Sequence, residues 1–93
     1  FVGVNAGLGI LSLWAYYRIP YVIAPVTMRH GATRERVTIS GNINEAIDLL
    51  GEDVEIPAPE EGDVLAVINV GGYGSAAASN HCMRGEYREI LLD

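Results

Sequence analysis

The sequence predicts a small, mainly β domain, built as an antiparallel β-sandwich or an open Greek-key barrel with one or two short helices. Segments rich in β-branched and aromatic residues, such as residues 21–27 and 64–70, lie between clusters of glycine, proline and asparagine. A spacing of about 8–12 residues between such segments is typical of this class. The chain has 93 residues, of which 49% are hydrophobic. Residues 1–93 are therefore predicted to form a single domain around one hydrophobic core.

The first part of this domain, residues 1–30, is predicted to hold a strand, an apolar segment and an edge strand. Residues 1–4 are an apolar run stopped by polar sequence, as at the end of a buried strand. Residues 7–17 are apolar on every side, and periodicity does not distinguish a buried helix from an irregular segment there. Pro25 removes a ladder donor from the strand predicted at residues 21–27, which confines that strand to a sheet edge.

The second part, residues 31–93, is predicted to form a β core that carries the motifs. Residues 35–40 alternate polar and apolar side chains, the pattern of a half-buried strand. Residues 44–50 begin with an N-cap type residue, continue with good helix formers and end at Gly51, which predicts one or two helical turns. Three further segments complete the core: a connector at residues 57–63, the strand at residues 64–70 and a closing strand at residues 87–92.

The composition excludes several classes of protein. All 6 basic residues are arginine, against 12 acidic residues, and the formal charge of −6 has the wrong sign for a nucleic-acid binder. The apolar N-terminal segment contains no run of about 18 uncharged apolar residues, so no membrane span is predicted. One cysteine, Cys82, excludes an internal disulfide and a cysteine zinc cluster, and favours a cytoplasmic location. Because there is no lysine, the chain itself cannot form a Schiff base through a side chain.

Acidic side chains supply one candidate binding site. Eight of the 12 acidic residues lie between Glu45 and Asp63, and charge runs of this kind are usually solvated loops. Glu45 and Asp48 are also three residues apart, on one face of the predicted helix, where two carboxylates attract a cationic ligand group. Both interpretations stay open at this point.

The Gly-Gly-Tyr-Gly segment at residues 71–74 is a second candidate. Its glycines follow a predicted strand and let the backbone approach a ligand, while the start of a following helix favours anions. The Tyr73 hydroxyl can donate a hydrogen bond to a phosphate oxygen. The alternative is a plain turn with a packed tyrosine.

The other reactive side chains predict no catalytic pair and no metal site. His81 and Cys82 are neighbours in sequence, and neighbours on a strand point to opposite faces. Cys82 is predicted to be a small buried hydrophobe, and His30 to lie at the surface. Two histidines without a spaced partner do not make a metal site. The tyrosines of the first part are predicted to lie in the core, each with a partner for its hydroxyl: Tyr16, Tyr17 and Tyr21.

Three ordered segments carry a resemblance to a known family: GNINEAIDLLGEDVEIP, EEGDVLAVINVGGYG and SNHCMRGEYREILL. Together, residues 41–92 resemble the C-terminal domain of the fold-type III pyridoxal-phosphate decarboxylases, above all the diaminopimelate decarboxylase branch, with the ornithine, lysine and arginine decarboxylases nearby. In that family a strand ends in G-x-x-C-[DE]-x-x-D, a strand opened by Gly-Asp leads to G-A-Y, and S-N-Y-N precedes a closing strand. The N-terminal stretch VNAGLGILSLWAYYRIP fits more loosely, with Asn5 at the family's aspartate, Leu13 at its arginine and Tyr17 at its tyrosine.

The resemblance implies roles for five residues. Tyr73, with Gly72 beside it, contacts the cofactor phosphate. Glu45 lies beside the distal group of the substrate, in the active site of the partner subunit. Tyr17 and Asp48 belong to the substrate-binding set. Leucine in place of the family's arginine, which binds a substrate carboxylate, counts against diaminopimelate itself as the substrate.

Two further positions depart from the family pattern. Asn44 takes the place of the cysteine that in relatives protonates the carbanion left by decarboxylation. An amide is not a usable proton donor at neutral pH, so the resemblance leaves this step to another group or to water. His81 stands where relatives have a tyrosine, as a substitute donor or as a surface change, and the surface change is favoured.

The resemblance therefore implies that the chain is the C-terminal β domain of a pyridoxal-5′-phosphate-dependent amino-acid decarboxylase. Its partners would be its own N-terminal (β/α)8-barrel domain, which carries the Schiff-base lysine and is absent from these residues, and a second subunit in a homodimer with shared active sites. The substrate would be a small amino acid with a distal amine. Two alternatives stay open: a non-catalytic homologue with a regulatory or dimerisation role, suggested by Asn44, and a small β binding module.

Overall fold

Strands outnumber helices in residues 1–84 and 87–93, the part of the chain that the computed structural model describes. The predicted mainly β class with short helices is confirmed. The elements follow in the order β1 (Val2–Gly3), α1 (Leu13–Tyr17), β2 (Val22–Pro25), β3 (Arg34–Ser40), β4 (Leu49–Pro57), β5 (Leu65–Ile68), α2 (Gly71–Ala76) and a 3₁₀ turn (His81–Met83). Within the described ranges, no helix is long and apolar enough to cross a membrane.

The strands form two sheets, one with the order β1-β3-β4 and one with the order β2-β5. The pairs β3–β4 and β2–β5 are antiparallel, as predicted. The pair β1–β3 is parallel, with Val2 opposite Ile39, which differs from the predicted antiparallel arrangement. A parallel pair needs a long crossover connection, and the chain supplies one because α1 and β2 lie between these two strands.

Two apolar clusters hold the sheets and loops together. The main cluster lies between the sheets and takes one residue from β2 and two each from β3 and β4: Ile23, Val37, Ile39, Leu50 and Ile56. The second cluster joins the N-terminal segment, α1 and the loop after β3: Leu8, Ala15 and Ile43. Each buried aliphatic side chain contributes about 1.5–3 kcal/mol relative to exposure. The second cluster fixes the part of the fold where the motif residues lie.

The strands predicted at residues 21–27, 35–40 and 64–70 are confirmed as β2, β3 and β5. Pro25 ends β2 in a two-stranded sheet, where every strand is an edge. Strand β4 was not predicted, because its exposed face is a run of acidic residues that resembles a solvated loop. Its apolar residues instead alternate inward, with Val54 opposite Val37 and Ile56 opposite Glu35.

The helix predicted at residues 44–50 is wrong. Residues 42–47 form bends and a turn, and Leu49 already belongs to β4, opposite Ser40. The loop is closed by two short-range bonds, from the Glu45 amide to the Ile43 carbonyl (2.8 Å) and from the Asp48 amide to the Glu45 carbonyl (3.0 Å). The helix propensity of this segment is overridden because its last two residues belong to strand β4, which pairs with β3.

The closing strand predicted at residues 87–92 is also wrong. Residues 87–93 contain no regular element, and their side chains are exposed. A strand is stable only when another strand pairs with its backbone groups. No strand within residues 1–84 pairs with this segment, so its apolar sequence alone does not make it a strand.

Helix α1 resolves the ambiguity at residues 7–17, since only Leu13–Tyr17 is helical. The predicted core location is wrong for Tyr16 and Tyr17, which are exposed. Tyr21 is half-buried, and its hydroxyl accepts a hydrogen bond from the Leu13 amide at 3.0 Å. Burial raises the pKa of Tyr21, and this backbone bond partly opposes the increase. Tyr21 thus satisfies a free amide at the start of α1 that the N-cap Ser12 side chain does not.

Candidate functional site

The loop at residues 41–48 carries three of the predicted site residues, and buried Asp48 fixes its shape. Asp48 is only 2% exposed. Its Oδ1 accepts a hydrogen bond from the Leu8 amide (2.7 Å) and its Oδ2 one from the Ile43 amide (2.6 Å). A buried carboxylate with two backbone donors is a strong positioning group. The predicted contact of Asp48 with substrate stays a prediction. In the structure both of its carboxylate oxygens accept hydrogen bonds from backbone amides.

Two glycines make room for this carboxylate. A Cβ atom on Gly7 would lie 2.8 Å from Asn42 Oδ1 and 2.9 Å from both Asp48 oxygens. A Cβ atom on Gly41 would overlap the Asp48 carboxylate even more closely. Glycine is therefore required at both positions by the close approach of the loop to the N-terminal segment.

Asn44 and Glu45 lie on the outer side of this loop and are exposed. The predicted helical face shared by Glu45 and Asp48 is wrong, because one carboxylate points outward and the other is buried. The remaining acidic residues of the run are mostly exposed. Glu52, Asp53 and Glu55 lie in strand β4, so the predicted solvated loop is wrong for that part of the run. Of that run, the loop geometry sets Glu45 apart as the carboxylate available to a ligand beside Asn44.

Glu45 meets two side chains from the other end of the chain. Its Oε1 contacts Nε2 of His81 and lies 3.8 Å from Sγ of Cys82. The prediction that Cys82 is buried is wrong, because the thiol is exposed. No local pattern signals this cluster, since the contacts join residues 36 and 37 positions apart.

His81 and Cys82 face the same carboxylate because they lie in a 3₁₀ turn and not on a strand. Cys82 has a φ of 56° and Met83 a φ of 53°, which is left-handed backbone rarely adopted by such residues. The turn is closed by the bond from the Met83 amide to the Asn80 carbonyl at 2.9 Å. The alternation expected of a strand does not apply to this geometry.

The Gly-Gly-Tyr-Gly segment forms helix α2 itself, and does not precede a helix as a separate loop. Gly71 adopts a φ of 62° at the first position, and a Cβ atom on Gly72 would meet nothing within 4 Å. Tyr73 projects from this helix and is 72% exposed. The alternative of a packed tyrosine is therefore wrong, and the phenol is available to a ligand.

Tyr73 and Tyr17 border one groove between α1 and α2. The groove has a volume of about 400 Å³ and is lined by Leu13, Tyr17, Ile19, Tyr73, Ala76 and Ala77. Its lining side chains are apolar and aromatic, and the phenol groups of the two tyrosines can donate hydrogen bonds to a flat aromatic ligand bearing a phosphate. The residues present fit pyridoxal phosphate on this side, while an amine to bind it covalently is lacking from the lysine-free chain.

The predicted site residues thus fall into two groups. Tyr17, Gly72 and Tyr73 belong to α1 and α2, whereas Asn44, Glu45 and Asp48 belong to the loop after β3. The groove and the Glu45 cluster share no lining residue. The described part of the chain therefore presents two partial sites.

The sequence and the fold both match known proteins. A family model described as the pyridoxal-dependent decarboxylase C-terminal sheet domain matches residues 1–71. The diaminopimelate decarboxylase of Neisseria meningitidis is 39% identical over 93 residues, which cover 100% of this chain and 22% of that protein. The diaminopimelate decarboxylase of Methanothermobacter thermautotrophicus is 33% identical over 92 residues, with 99% and 22% coverage.

Solved structures agree with these relatives. Diaminopimelate decarboxylase from Methanocaldococcus jannaschii in complex with L-lysine superposes with a TM-score of 0.81 and 34% identity, over 89% of this chain and 19% of that one. The Helicobacter pylori enzyme in complex with L-lysine gives a TM-score of 0.78 and 28% identity, over 88% and 20%. The chain spans about a fifth of the length of these relatives. It belongs to the pyridoxal-dependent decarboxylase family and has the fold of that family's C-terminal sheet domain.

Proposed function

We propose that this chain is the C-terminal domain of a homodimeric, pyridoxal-phosphate-dependent decarboxylase that acts on a diamino or other amine-bearing amino acid. The observation that carries the proposal is the exposed groove that both Tyr73 and Tyr17 line, in a chain of this family. Exposed phenols on an apolar groove are costly unless a ligand or another domain covers them. A cytoplasmic location, predicted from the single thiol, stays part of the proposal.

The groove is assigned to the active site of the same subunit. The Tyr73 hydroxyl would donate a hydrogen bond to the cofactor phosphate, and Gly72, where a Cβ atom would meet nothing within 4 Å, would leave space for that phosphate beside the helix. Tyr17 contacts the substrate from the opposite wall. When bound, pyridoxal phosphate supplies the electron withdrawal that lets the α-carboxylate leave as carbon dioxide.

Glu45 is assigned to the distal amine of the substrate in the partner subunit's active site. It is an exposed carboxylate on a loop that Asp48 fixes from inside. An ammonium group beside such a carboxylate gains a charge-assisted hydrogen bond. Two relatives named diaminopimelate decarboxylase were crystallised with L-lysine, the amino acid that remains when diaminopimelate loses one carboxylate, which supports a ligand with a distal amine at this position.

A second subunit and a barrel domain complete the proposal. The outer face of the β2–β5 sheet is entirely apolar, because alternate residues of the paired strands point away from the core. Its exposed members are Val22, Val26, Val64 and Ile68. Since the chain spans about a fifth of its relatives, we assign this face to the N-terminal barrel domain, which supplies most of the missing length.

A non-catalytic homologue is the second candidate function, and Asn44 favours it. Asn44 lies exposed on the loop next to Glu45, at the position that the resemblance matches to the family's cysteine. An enzyme that retains activity needs another proton donor or water at this point. A homologue that lost its activity needs none.

The experiment joins this chain to an N-terminal barrel domain of the family and measures carbon dioxide release from a panel of diaminopimelate, basic amino acids and neutral amino acids. We expect release from amine-bearing members of the panel, and Glu45→Ala should raise KM for them about tenfold to a hundredfold, since a hydrogen bond to a charged group contributes about 1.5–3 kcal/mol. The control is Glu61→Ala, which removes an exposed carboxylate from the distant β4–β5 connector.

Two outcomes would contradict this assignment. An unchanged KM in Glu45→Ala would remove Glu45 from substrate recognition. A folded dimer without carbon dioxide release from any member of the panel would favour the non-catalytic homologue.

A further inference from the structure

We propose that Glu45, His81 and Cys82 form a binding site for a borderline-soft divalent cation, with zinc as the best match. One carboxylate oxygen, one imidazole nitrogen and one thiol sulfur lie within 4.8 Å of one another. The sequence spacing predicts no such site, because the carboxylate is separated from the other two residues by more than thirty positions. The fold brings them together.

The distances suit one small ion. Sγ of Cys82 lies 3.8 Å from Oε1 of Glu45, and Nε2 of His81 contacts the same oxygen. Around a tetrahedral zinc ion with bonds of about 2.0–2.3 Å, ligand atoms are about 3.3–3.8 Å apart. Small side-chain shifts therefore seat all three donors, and the fourth position remains open to water.

The kinds of donor select the ion. Thiolate sulfur and imidazole nitrogen favour zinc over magnesium and calcium, which require sets of oxygen ligands. The Cys82 thiol, which faces the Glu45 carboxylate, releases its proton to solvent when it coordinates the ion, and the divalent cation then balances both the thiolate and the carboxylate. The formal charge of −6 raises the local concentration of cations around the whole chain.

Both ligand-bearing loops are attached to the same three residues, Gly7 to Gly9. The Leu8 amide binds the Asp48 carboxylate, which fixes the Glu45 loop. The Gly9 carbonyl accepts the Ser79 amide at 2.6 Å, just before the turn that carries His81 and Cys82. A Cβ atom on Gly9 would lie 3.2 Å from the Ser79 carbonyl, so the approach is close. The donors are thus preorganised by backbone contacts that do not involve the ion.

Zinc binding requires only this chain, whereas its effect on catalysis rests on the proposed function. A zinc ion on Glu45 occupies the carboxylate assigned to the distal amine. Zinc and basic substrates therefore compete, and zinc acts as an inhibitor of the assembled enzyme.

The test titrates the purified chain with Zn²⁺ by calorimetry and with Co²⁺ by absorption spectroscopy. We expect one ion per chain and a thiolate-to-cobalt charge-transfer band. Cys82→Ser and His81→Ala should each weaken binding by at least about tenfold, since loss of even an outer partner costs a metal site about 10–100-fold. The matched control is His30→Ala, at the other histidine, which is exposed and lies outside the cluster.

The proposal is overturned if Co²⁺ binding to the unchanged chain produces no charge-transfer band. It is also overturned if Cys82→Ser binds zinc as tightly as the unchanged chain. Equal losses in His30→Ala and His81→Ala would also overturn it, because they indicate non-specific histidine binding. Magnesium in excess should not displace zinc. None of these readouts depends on decarboxylation. Failure of zinc binding therefore leaves the proposed decarboxylase function untouched, and failure of the decarboxylase assay leaves the zinc site untouched.

Discussion

Asp48 illustrates how a single residue sets the geometry of a site that it does not itself present. Its carboxylate is buried and receives the amides of Leu8 and Ile43, while its own carbonyl accepts the Gly41 amide at 2.9 Å. The sequence shows an aspartate at position 48, but it does not predict that the side chain of Asp48 is buried. That outcome depends on Gly7, whose missing side chain leaves the space.

Asp48→Asn should lower the free energy of unfolding by about 2 kcal/mol, because one carboxylate oxygen becomes an NH₂ group facing a backbone donor, and hydrogen bonds to charged groups contribute about 1.5–3 kcal/mol. Urea denaturation of the purified chain measures the change. Asp53→Asn is the matched control, since Asp53 is exposed. Equal midpoints for Asp48→Asn and the unchanged chain would show that the two amide bonds do not stabilise the fold.

At the scale of elements, pairing partners decided what could be predicted. Strands with clear alternation, such as β3, were predicted correctly because their pattern reflects one buried face. The predictions for residues 44–50 and 87–92 were wrong. The end of the first segment belongs to strand β4, and no strand among the described residues pairs with the second. Helix propensity and alternation are local properties, whereas pairing is not.

The connector between β4 and β5 is an element whose stability should depend on pH. Asp63 accepts the Glu60 amide at 2.8 Å and contacts Arg29, which also lies 3.5 Å from Glu60. The Glu60 amide bond, with help from Arg29 and against partial burial, lowers the pKa of Asp63 below its ordinary value. A lowered pKa in the folded state means that this carboxylate stabilises the fold above about pH 4, the unfolded value.

Asp63→Asn should therefore lower the urea midpoint at pH 7, and the difference from the unchanged chain should fade as the pH falls from about 4, where the unfolded carboxyl takes up a proton, through the lower pKa of the folded carboxyl. Parallel denaturation curves between pH 7 and pH 3 measure this. Glu61→Gln, at an exposed neighbour, should show no such convergence. A difference that stays constant down to pH 3 would rule out the charge of Asp63 as the cause.

At the scale of the whole molecule, the fold class followed from composition and strand pattern, and the family from three ordered motifs. The two partial sites and their separation did not, because they depend on how the fold places distant segments. Helices α1 and α2 line one groove, and the Glu45 loop contacts the 3₁₀ turn. A motif names the residues that meet a ligand. The fold decides which of them meet the same ligand.

The apolar outer face of β2–β5 leads to a prediction for the intact assembly. Val22→Arg combined with Val64→Arg should leave the unfolding midpoint of the isolated chain nearly unchanged, since both side chains are already about 60–65% exposed and surface substitutions change stability by about 0.5 kcal/mol or less. Joined to a barrel domain, the same pair should clearly lower the melting temperature, because two charges would be buried at the domain contact.

Differential scanning calorimetry of the joined protein, with sedimentation to follow its mass, separates the possibilities. Glu35→Arg, an exposed position on β3, is the control for an added charge. Dissociation of a dimer with an unchanged melting temperature would assign the face to a second subunit instead. No change in either measurement would mean that nothing packs against it.

The attachment of both ligand-bearing loops to residues 7–9 has a mechanical consequence. When the domain rotates or flexes against its neighbours, a displacement of this short segment carries the Glu45 loop and the His81 turn with it as one body. The distances among the carboxylate, the imidazole and the thiol then stay constant during such a motion, while their distances to the neighbouring domains change. The three ligand atoms therefore keep the spacing that a bound ion requires even when the domain moves relative to its neighbours.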